Sequence, residues 1–233
     1  MDRLFMRQGM NSKKLNKADM AFEILHEGIM EGKWKPGDRL YDDELAERFG
    51  TSRNSIREAL SNLVKHRLVE KTHWKGYKVR EPKWEEIEEA IEIRECLEMY
   101  VLQKLQALSA EKYNKLIEKL EKQLDNAEVL LNTDDRQYRK VDMLFHEILY
   151  STISYGGLPG LLEVLHAVTD LQMQDHYRLY PEVSKMSHNQ HREILAKLKV
   201  RDFEEVKRLM QDHIENYMDR AKLAYEAAIN SRN

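Results

Sequence analysis

Two different hydrophobic patterns divide the chain, and the change falls close to residue 80. In the first part, apolar residues at helical spacing form three short segments, and two β-prone segments joined by a glycine turn follow them. The helical segments are 18–30, 42–49 and 52–65, and the β-prone segments are 68–72 and 77–80. This order predicts a winged helix-turn-helix with three helices and a two-stranded wing.

From residue 83 onward the pattern is helical throughout. About six amphipathic segments are separated by short breaks, and they cover 83–108, 110–131, 135–153, 158–180, 182–199 and 202–229. Long helices with short connections predict an antiparallel bundle. The expected fold is therefore mainly α. Its predicted parts are a flexible N-terminal arm at 1–14, a winged domain at 15–80 and an all-α domain at 81–233.

Length and composition are typical of a helix-rich protein with two modest domains. The chain has 233 residues, of which 34% are charged and 42% are hydrophobic. No apolar stretch approaches the roughly 18 residues of a membrane span, and the N-terminus lacks the pattern of a secretory signal. The single cysteine, Cys96, can form no internal disulfide. We therefore expect a cytoplasmic protein without a membrane partner.

The formal net charge of −3 hides an uneven distribution along the chain. Residues 1–81 hold 17 Lys and Arg and 13 Asp and Glu, a net charge of +4, whereas the remainder carries −7. Phosphate binding needs a locally positive surface and not a basic whole chain. The front part can therefore face DNA although the chain as a whole is acidic.

The third predicted helix has the features of a DNA recognition helix. Arg53 and Arg57 are one turn apart near its start, where side chains reach base edges in the major groove. Arginine can bind guanine bidentately and asparagine can bind adenine, while serine suits a phosphate or a base. The predicted DNA-binding residues are Ser52, Arg53, Asn54, Ser55, Arg57 and, at the wing, Lys75 and Gly76. The alternative is an ordinary solvated helix face.

Histidines in the second part form a candidate metal site. Asp142 and His146 are four residues apart on one predicted helix, which places an oxygen and a nitrogen ligand on the same face. His191 and His213 lie near apolar stripes of two later helices. Imidazole and carboxylate together suit a divalent ion such as Zn, Ni, Mn or Fe. Spacing alone makes only the first pair suggestive, because such histidines are more often ordinary core residues.

The winged segment resembles the GntR family. The resemblance rests on four blocks at the right separations, which are PGDRL at 36–40, ELAERFG at 44–50, SRNSIREAL at 52–60 and KGYKV at 75–79. It covers about residues 15–80. It implies that Arg53, Arg57 and the residues between them contact an operator. Some members have a further DNA-contacting arginine in the second helix, where this chain has Asp43, so that contact is not expected here.

Residues 83–229 resemble the all-helical effector and dimerisation domain of the FadR-type branch of that family, the FCD domain. The count of six helices is that of the VanR-like subgroup. In many members one Asp and three His bind a divalent metal, and the matching positions here are Asp142, His146, His191 and His213. His166, His176 and His188 match no ligand position.

Arg94 lies in a segment that matches a recurring E-x-R-x-x-L-E pattern of the same domain. A buried arginine there could bind an effector carboxylate. It could equally form an ion pair with Glu98 or Glu95 on its own helix. Tyr177 and Gln174, one turn apart, are further candidates for effector binding, although this segment could also be core.

Together these features predict a transcriptional regulator, most simply a repressor. We expect a homodimer that reads a pseudo-palindromic operator in double-stranded DNA and releases it when a small organic acid binds near the metal. In a second hypothesis the metal itself is the signal. A third, a metal-dependent hydrolase or isomerase, would need a general base that no motif supplies.

Overall fold

The computed structural model of the chain describes residues 16–72, 76–131, 135–153, 157–179 and 181–230. In these ranges the elements, in chain order, are α1 (Lys17–Met30), β1 (Arg39–Leu40), α2 (Asp42–Arg48), α3 (Arg53–Lys65), β2 (Val69–Thr72), β3 (Gly76–Val79), α4 (Trp84–Gln106), α5 (Ala110–Leu131), α6 (Asp135–Ile153), α7 (Gly157–Leu179), α8 (Pro181–Lys199) and α9 (Phe203–Asn230). The predicted fold class is confirmed: a winged helix-turn-helix precedes a helical bundle.

Two helices of the winged unit, α1 and α3, begin at residues whose side chains accept hydrogen bonds from free amide groups. Asn16 caps α1 by accepting a hydrogen bond from the Asp19 amide at 2.8 Å, and the Asp19 carboxylate accepts one from the Asn16 amide at 3.2 Å. This reciprocal pair is a capping box. The inward residues of α1 and α3, among them Leu25, Ile56 and Leu60, are fully buried and form the core on which the wing rests.

The wing has three strands where the sequence predicts two. The antiparallel sheet has the order β1-β3-β2, and β1 pairs Arg39 with Lys78 and Leu40 with Tyr77. A turn at Gly37, where φ is +95°, directs the chain into this pairing. A strand of two residues is too short to produce a recognisable alternation, so the hydrophobic pattern could not predict it.

The second unit is an antiparallel bundle of α4 to α9. Its helix bounds lie within two residues of the predicted ones, because glycine, proline and helix-capping residues mark each break. The core is a single aliphatic and aromatic cluster that includes Ile91, Leu102, Phe145, Ile194 and Met210. None of the described helices is long and apolar enough to cross a membrane.

Helix α7 connects the two units. Its residues Ala167 and Leu171 are buried in the same cluster as Leu25 of α1 and Leu60 of α3. The same helix packs against α4 and α9 inside the bundle. A displacement of α7 would therefore change the contacts of the winged unit as well as those of the bundle.

Gly28 of α1 is a position where a larger side chain has no room. A Cβ atom there would lie 2.1 and 2.6 Å from two ring atoms of Trp34, and the ring would have to move. We expect Gly28→Ala to destabilise the protein by about 1–3 kcal/mol through overpacking. That loss would lower the thermal unfolding midpoint by several degrees.

The matched control for this substitution is Gly160→Ala. Gly160 also lies in a helix, but a Cβ there meets nothing within 4 Å. This change should leave the midpoint unchanged or raise it slightly, since alanine has the higher helix propensity. Equal midpoints for the two variants would show that the Trp34 ring is not packed tightly on Gly28.

Candidate nucleic-acid interface and metal centre

One face of α3 is buried and the other is exposed. Ile56, Ala59, Leu60 and Leu63 are completely buried and fix the helix on the winged unit. The predicted contact residues Arg53, Asn54 and Arg57 are exposed, and Ser55 is half-buried. The apolar spacing thus leaves the predicted reading face of the helix accessible to a groove.

The N-terminus of α3 is suited to phosphate. Ser52 caps the helix, and its hydroxyl oxygen accepts a hydrogen bond from the Ser55 amide at 3.1 Å. The first turn of α3 contains no acidic residue, whereas α2 begins with three. The positive end of the helix dipole is therefore not neutralised within its own first turn.

Acidic residues of α2 contact both candidate arginines. The Nε atom of Arg57 donates a hydrogen bond to Oδ2 of Asp42, and Nη2 of Arg53 lies 3.8 Å from Oδ2 of Asp43. These contacts were not predicted, although the adjacent Asp42 and Asp43 precede the turn that presents the two arginines. Exposed ion pairs contribute at most about 1 kcal/mol, so DNA can displace them at small cost.

Part of the predicted wing contact lies outside the described residues. Gly76 begins β3 with φ of +81°, a backbone conformation that glycine adopts readily. Lys75, the predicted contact at the tip, falls in the range 73–75, which the structure does not describe.

Three histidines from three helices meet in the bundle. His146 of α6, His191 of α8 and His213 of α9 are each at most 2% exposed. Nε2 of His191 lies 3.1 Å from Nε2 of His146 and 3.3 Å from Nε2 of His213. Two imidazole nitrogens bound to one ion at about 2.0–2.1 Å are separated by about 3.0–3.4 Å, depending on the coordination angle. The observed separations fit ligands of a shared divalent ion.

Neighbouring side chains orient two of these rings. Nδ1 of His146 lies 2.6 Å from Oε1 of Glu98, and Nδ1 of His213 donates a hydrogen bond to Oε1 of Gln190 at 3.0 Å. Both acceptors favour a proton on Nδ1, which leaves the Nε2 lone pair directed at the common point. His191 is oriented differently, since its ring stacks on Phe145 with centroids 4.3 Å apart.

Glu98 is completely buried, and burial raises the pKa of its carboxyl group above the usual value. The nearby guanidinium of Arg94 opposes this rise, with Nε 3.6 Å from Oε1. Arg94 also lies over the ring of Tyr217 at 5.4 Å. Arg94 is thus placed beside Glu98, one of the two partners that its spacing suggested.

The structure describes the side chain of only one of four further residues that the sequence analysis considered for the metal or effector site. Asp142 lies in α6 and Gln174 and Tyr177 lie in α7, but their side chains are outside the described part of the structure. His188 is buried, and its Nε2 lies 3.3 Å from Nε of Arg192, away from the three clustered histidines. The cluster contains the three predicted histidines and excludes His188.

Sequence reasoning missed Glu98 and Gln190 as supporting residues. Glu98 closes the E-x-R-x-x-L-E pattern that drew attention to Arg94, so a signal was present. Gln190 directly precedes His191, but nothing in its spacing connects it with His213 on another helix.

Comparison with known proteins agrees with this architecture. The sequence profile of the bacterial regulatory proteins of the gntR family matches residues 17–79, and that of the FCD domain matches residues 89–216. The chain belongs to the GntR family of transcriptional regulators and carries an FCD domain. The resemblance noted in the sequence is thereby confirmed.

Curated relatives support the assignment over most of the chain. An uncharacterised HTH-type transcriptional regulator of Bacillus subtilis, YdhC, is 27% identical and is aligned over 84% of this chain and 93% of its own length. The HTH-type transcriptional repressor GlaR of Escherichia coli is 26% identical over 83% and 90%, respectively. Among solved structures, Escherichia coli McbR/YncC has the same fold, with a TM-score of 0.73 and 24% identity over 90% of this chain and 99% of its own.

Proposed function

We propose that this GntR-family regulator is a homodimeric repressor controlled by a small organic acid. It would bind a pseudo-palindromic operator and release it when the acid binds in the helical domain beside a divalent metal. The observation that carries the ligand-controlled part is the convergence of the Nε2 atoms of His146, His191 and His213. The relative GlaR is named a transcriptional repressor, which supports the proposed sign of regulation.

The proposed DNA contacts are Ser52, Arg53, Asn54, Ser55 and Arg57, with Lys75 and Gly76 at the wing. Two arginines one turn apart match the reach of a recognition helix in the major groove. The hydrogen bond from Arg57 Nε to Asp42 leaves both terminal nitrogens of the guanidinium available to a guanine edge. A dimer would place two such helices about one DNA turn apart.

The proposed metal ligands are His146, His191, His213 and, from the sequence pattern, Asp142. A divalent ion held there would supply an electrophilic centre for an oxygen of the effector. Glu98 and Gln190 hold the rings of His146 and His213 in the orientation that such an ion requires. We also propose that Arg94, Gln174 and Tyr177 belong to the effector pocket, with Arg94 acting beside Glu98.

Helix α7 offers a route from the pocket to the winged unit. His166 on this helix is buried and interacts electrostatically with Glu98, and the next residue, Ala167, belongs to the core of the winged unit. A ligand shifts a conformational equilibrium only through different affinities for the two states. An acid that changes the packing of α7 would therefore change the position of the winged unit in each subunit, and with it the distance between the two winged units of the proposed dimer.

The proposal can be tested without knowing the operator. Genomic fragments are enriched on the full-length protein, and the best fragment becomes the probe for fluorescence anisotropy. We expect the metal-loaded protein to bind this probe specifically and one acid of an organic-acid panel to weaken binding. Failure to enrich any fragment would contradict the operator-binding part. A probe that binds but is insensitive to every acid would contradict the effector part.

The same titration separates the metal-sensing hypothesis from the preferred one. If the metal is the signal, chelation and metal addition will change probe affinity while the acids leave it unaltered. The enzyme hypothesis has less support, because the relatives of this chain are named as transcriptional regulators.

Glu98→Gln should weaken metal binding in a protein that still folds but unfolds at a lower temperature, because Arg94 loses its counter-charge. Glutamine keeps the volume but replaces the carboxylate beside Nδ1 of His146, so that ring loses the partner that fixes its orientation. Loss of such an outer partner typically costs about 10–100-fold in metal affinity. A competition titration of Zn²⁺ against a fluorescent chelator measures the change.

The control is Glu95→Gln, which alters a carboxylate on the same helix that accepts a hydrogen bond from Gln211 away from the histidines. Its metal affinity should equal that of the unaltered protein. If the two variants bind Zn²⁺ equally well, Glu98 does not orient a metal ligand.

A further inference from the structure

Arg220 lies on the inner face of α9, in the same buried stripe as His213 and Tyr217. The spacings of four and three residues place all three on one side of the helix. Arg220 is two turns, about 10 Å, beyond His213 along the axis. Because helical side chains lean toward the N-terminus of their helix, its guanidinium is expected over the turn that carries Tyr217, on the His213 side of its own Cα.

Two of the three guanidinium nitrogens of Arg220, Nε and Nη1, are buried without a hydrogen-bond acceptor in the described part of the chain. The residue is only 7% exposed, and no described residue accepts a hydrogen bond from its buried Nε and Nη1 atoms. A guanidinium stays protonated in proteins, so burial cannot neutralise it. Arg220 therefore brings a full positive charge into the bundle.

Arg94 differs from Arg220 although both residues are 7% exposed. Its Nε lies 3.6 Å from Glu98, and its guanidinium covers the ring of Tyr217. Glu98 is also the partner of His146. The carboxylate of Glu98 is thus shared by Arg94 and His146. Among the contacts of the described residues, none joins Glu98 to Arg220.

An isolated buried charge is strongly unfavourable, and buried ions are normally paired or hydrogen-bonded. The planar fork of arginine matches the two oxygens of a carboxylate. We propose that Arg220 is the carboxylate-binding residue of the effector pocket and that Arg94, held by Glu98, is a positioning residue. This inference rests on the proposed function, since it names the group that recognises the acid.

The placement of Arg220 also narrows the class of ligand. Its carboxylate partner would lie toward the histidine cluster, which begins two turns earlier on the same helix. A ligand that spans the distance from Arg220 to the histidine cluster can place a second oxygen donor beside the three histidines. We therefore expect a small dicarboxylate or hydroxycarboxylate to bind more tightly than a simple monocarboxylate.

The test compares Arg220→Met with Arg94→Met in the full-length, Zn²⁺-loaded protein. Thermal unfolding is followed with succinate, malate or adipate, and with butyrate as the monocarboxylate. The unaltered protein should be stabilised by at least one of the first three at lower concentration than by butyrate. In Arg220→Met the concentration giving half of this effect should rise at least tenfold.

Ligand-free stability separates a binding role from a structural one. Arg220→Met should unfold at the same or a higher temperature than the unaltered protein, because methionine removes an unpaired buried charge and keeps an unbranched side chain. Arg94→Met should unfold at a lower temperature, because it leaves Glu98 without its counter-charge. A loss of stability in Arg220→Met as large as that in Arg94→Met would overturn the inference.

The outcomes also distinguish this inference from the proposed function. If acids release the operator from Arg220→Met as readily as from the unaltered protein, the role of Arg220 is wrong and the proposed function stands. If no acid stabilises the unaltered protein, carboxylate binding at Arg220 is overturned together with the effector part of the proposal. Operator binding measured without acid would still test the DNA-binding part.

Discussion

Replacing both Arg53 and Arg57 with alanine is expected to abolish specific operator binding while leaving the protein folded. Both side chains are largely exposed at the start of α3, with 64% and 58% of their side-chain surface accessible. The α3 residues that hold the winged unit together are on the opposite face and are unchanged. The double variant should therefore have the circular dichroism spectrum and unfolding midpoint of the unaltered protein.

The size of the effect follows from the contacts that are lost. A good bidentate contact to a base is worth about 1–3 kcal/mol, so two such contacts amount to a loss of about 30-fold or more in operator affinity. If an arginine instead binds phosphate, non-specific binding weakens too, and the slope of log affinity against log salt falls by about one per contact. Anisotropy titrations at several salt concentrations measure both quantities.

Lys65→Ala is the matched control for this double variant. Lys65 is an exposed basic residue at the C-terminal end of the same helix, far from the end that we propose reads bases, and it contacts Asn62. We expect operator affinity to change little when it is replaced. If the Arg53→Ala/Arg57→Ala protein retains full operator affinity, α3 is not part of the DNA interface.

Most of the fold was predictable because it depends on local signals that repeat. Helical spacing of apolar residues located each helix, and breaks such as Glu81-Pro82 located the connections. Gly76, which begins β3, indicated the hairpin of β2 and β3 in the same way. Strand β1 was missed because its pairing with β3 is set by a contact between residues that lie almost forty positions apart.

In the candidate sites, only residues whose side-chain type itself suggests a ligand role could be predicted from the sequence. Three histidines could be proposed as ligands because the family resemblance implies that set, whereas their spacing alone marks only Asp142 and His146. Their supports could not be proposed, since Glu98 and Gln190 are ordinary residues whose role depends on which helix faces them. Arg220 falls in the same class: only its burial without an acceptor, which a sequence does not record, distinguishes it from a surface arginine.

The acids of α2 alter the interpretation of the recognition helix. The sequence showed Asp43 where some family members have a DNA-contacting arginine, which removes one contact. In the structure Asp42 and Asp43 also contact Arg57 and Arg53, respectively. An arginine without an acidic partner is attracted by any phosphate. An arginine that is paired with an acid gains less binding energy from a phosphate, because it must first give up that acid. We therefore expect the two acids to favour discrimination between sequences over non-specific affinity.

Replacing His191 with alanine is expected to eliminate metal binding in the helical domain. Its Nε2 is the atom closest to both other imidazoles, at 3.1 Å from His146 and 3.3 Å from His213. Removing a ligand should cost more than removing an outer partner, which already costs about 10–100-fold. We expect metal content by elemental analysis to fall to background, and Zn²⁺ should no longer raise the unfolding midpoint.

The control for this variant is His188→Ala, three residues earlier on α8. His188 is also buried, at 4% exposure, but its ring contacts Arg192 and lies outside the cluster of three. Its loss should lower stability while leaving the response to Zn²⁺ intact, since an ion that binds only the folded state stabilises it by about 2.7 kcal/mol at a concentration 100 times the Kd. If His191→Ala does not fold, His191→Gln provides the same comparison with less lost volume. Retention of metal by both His191 variants would show that the three imidazoles meet for packing and not for an ion.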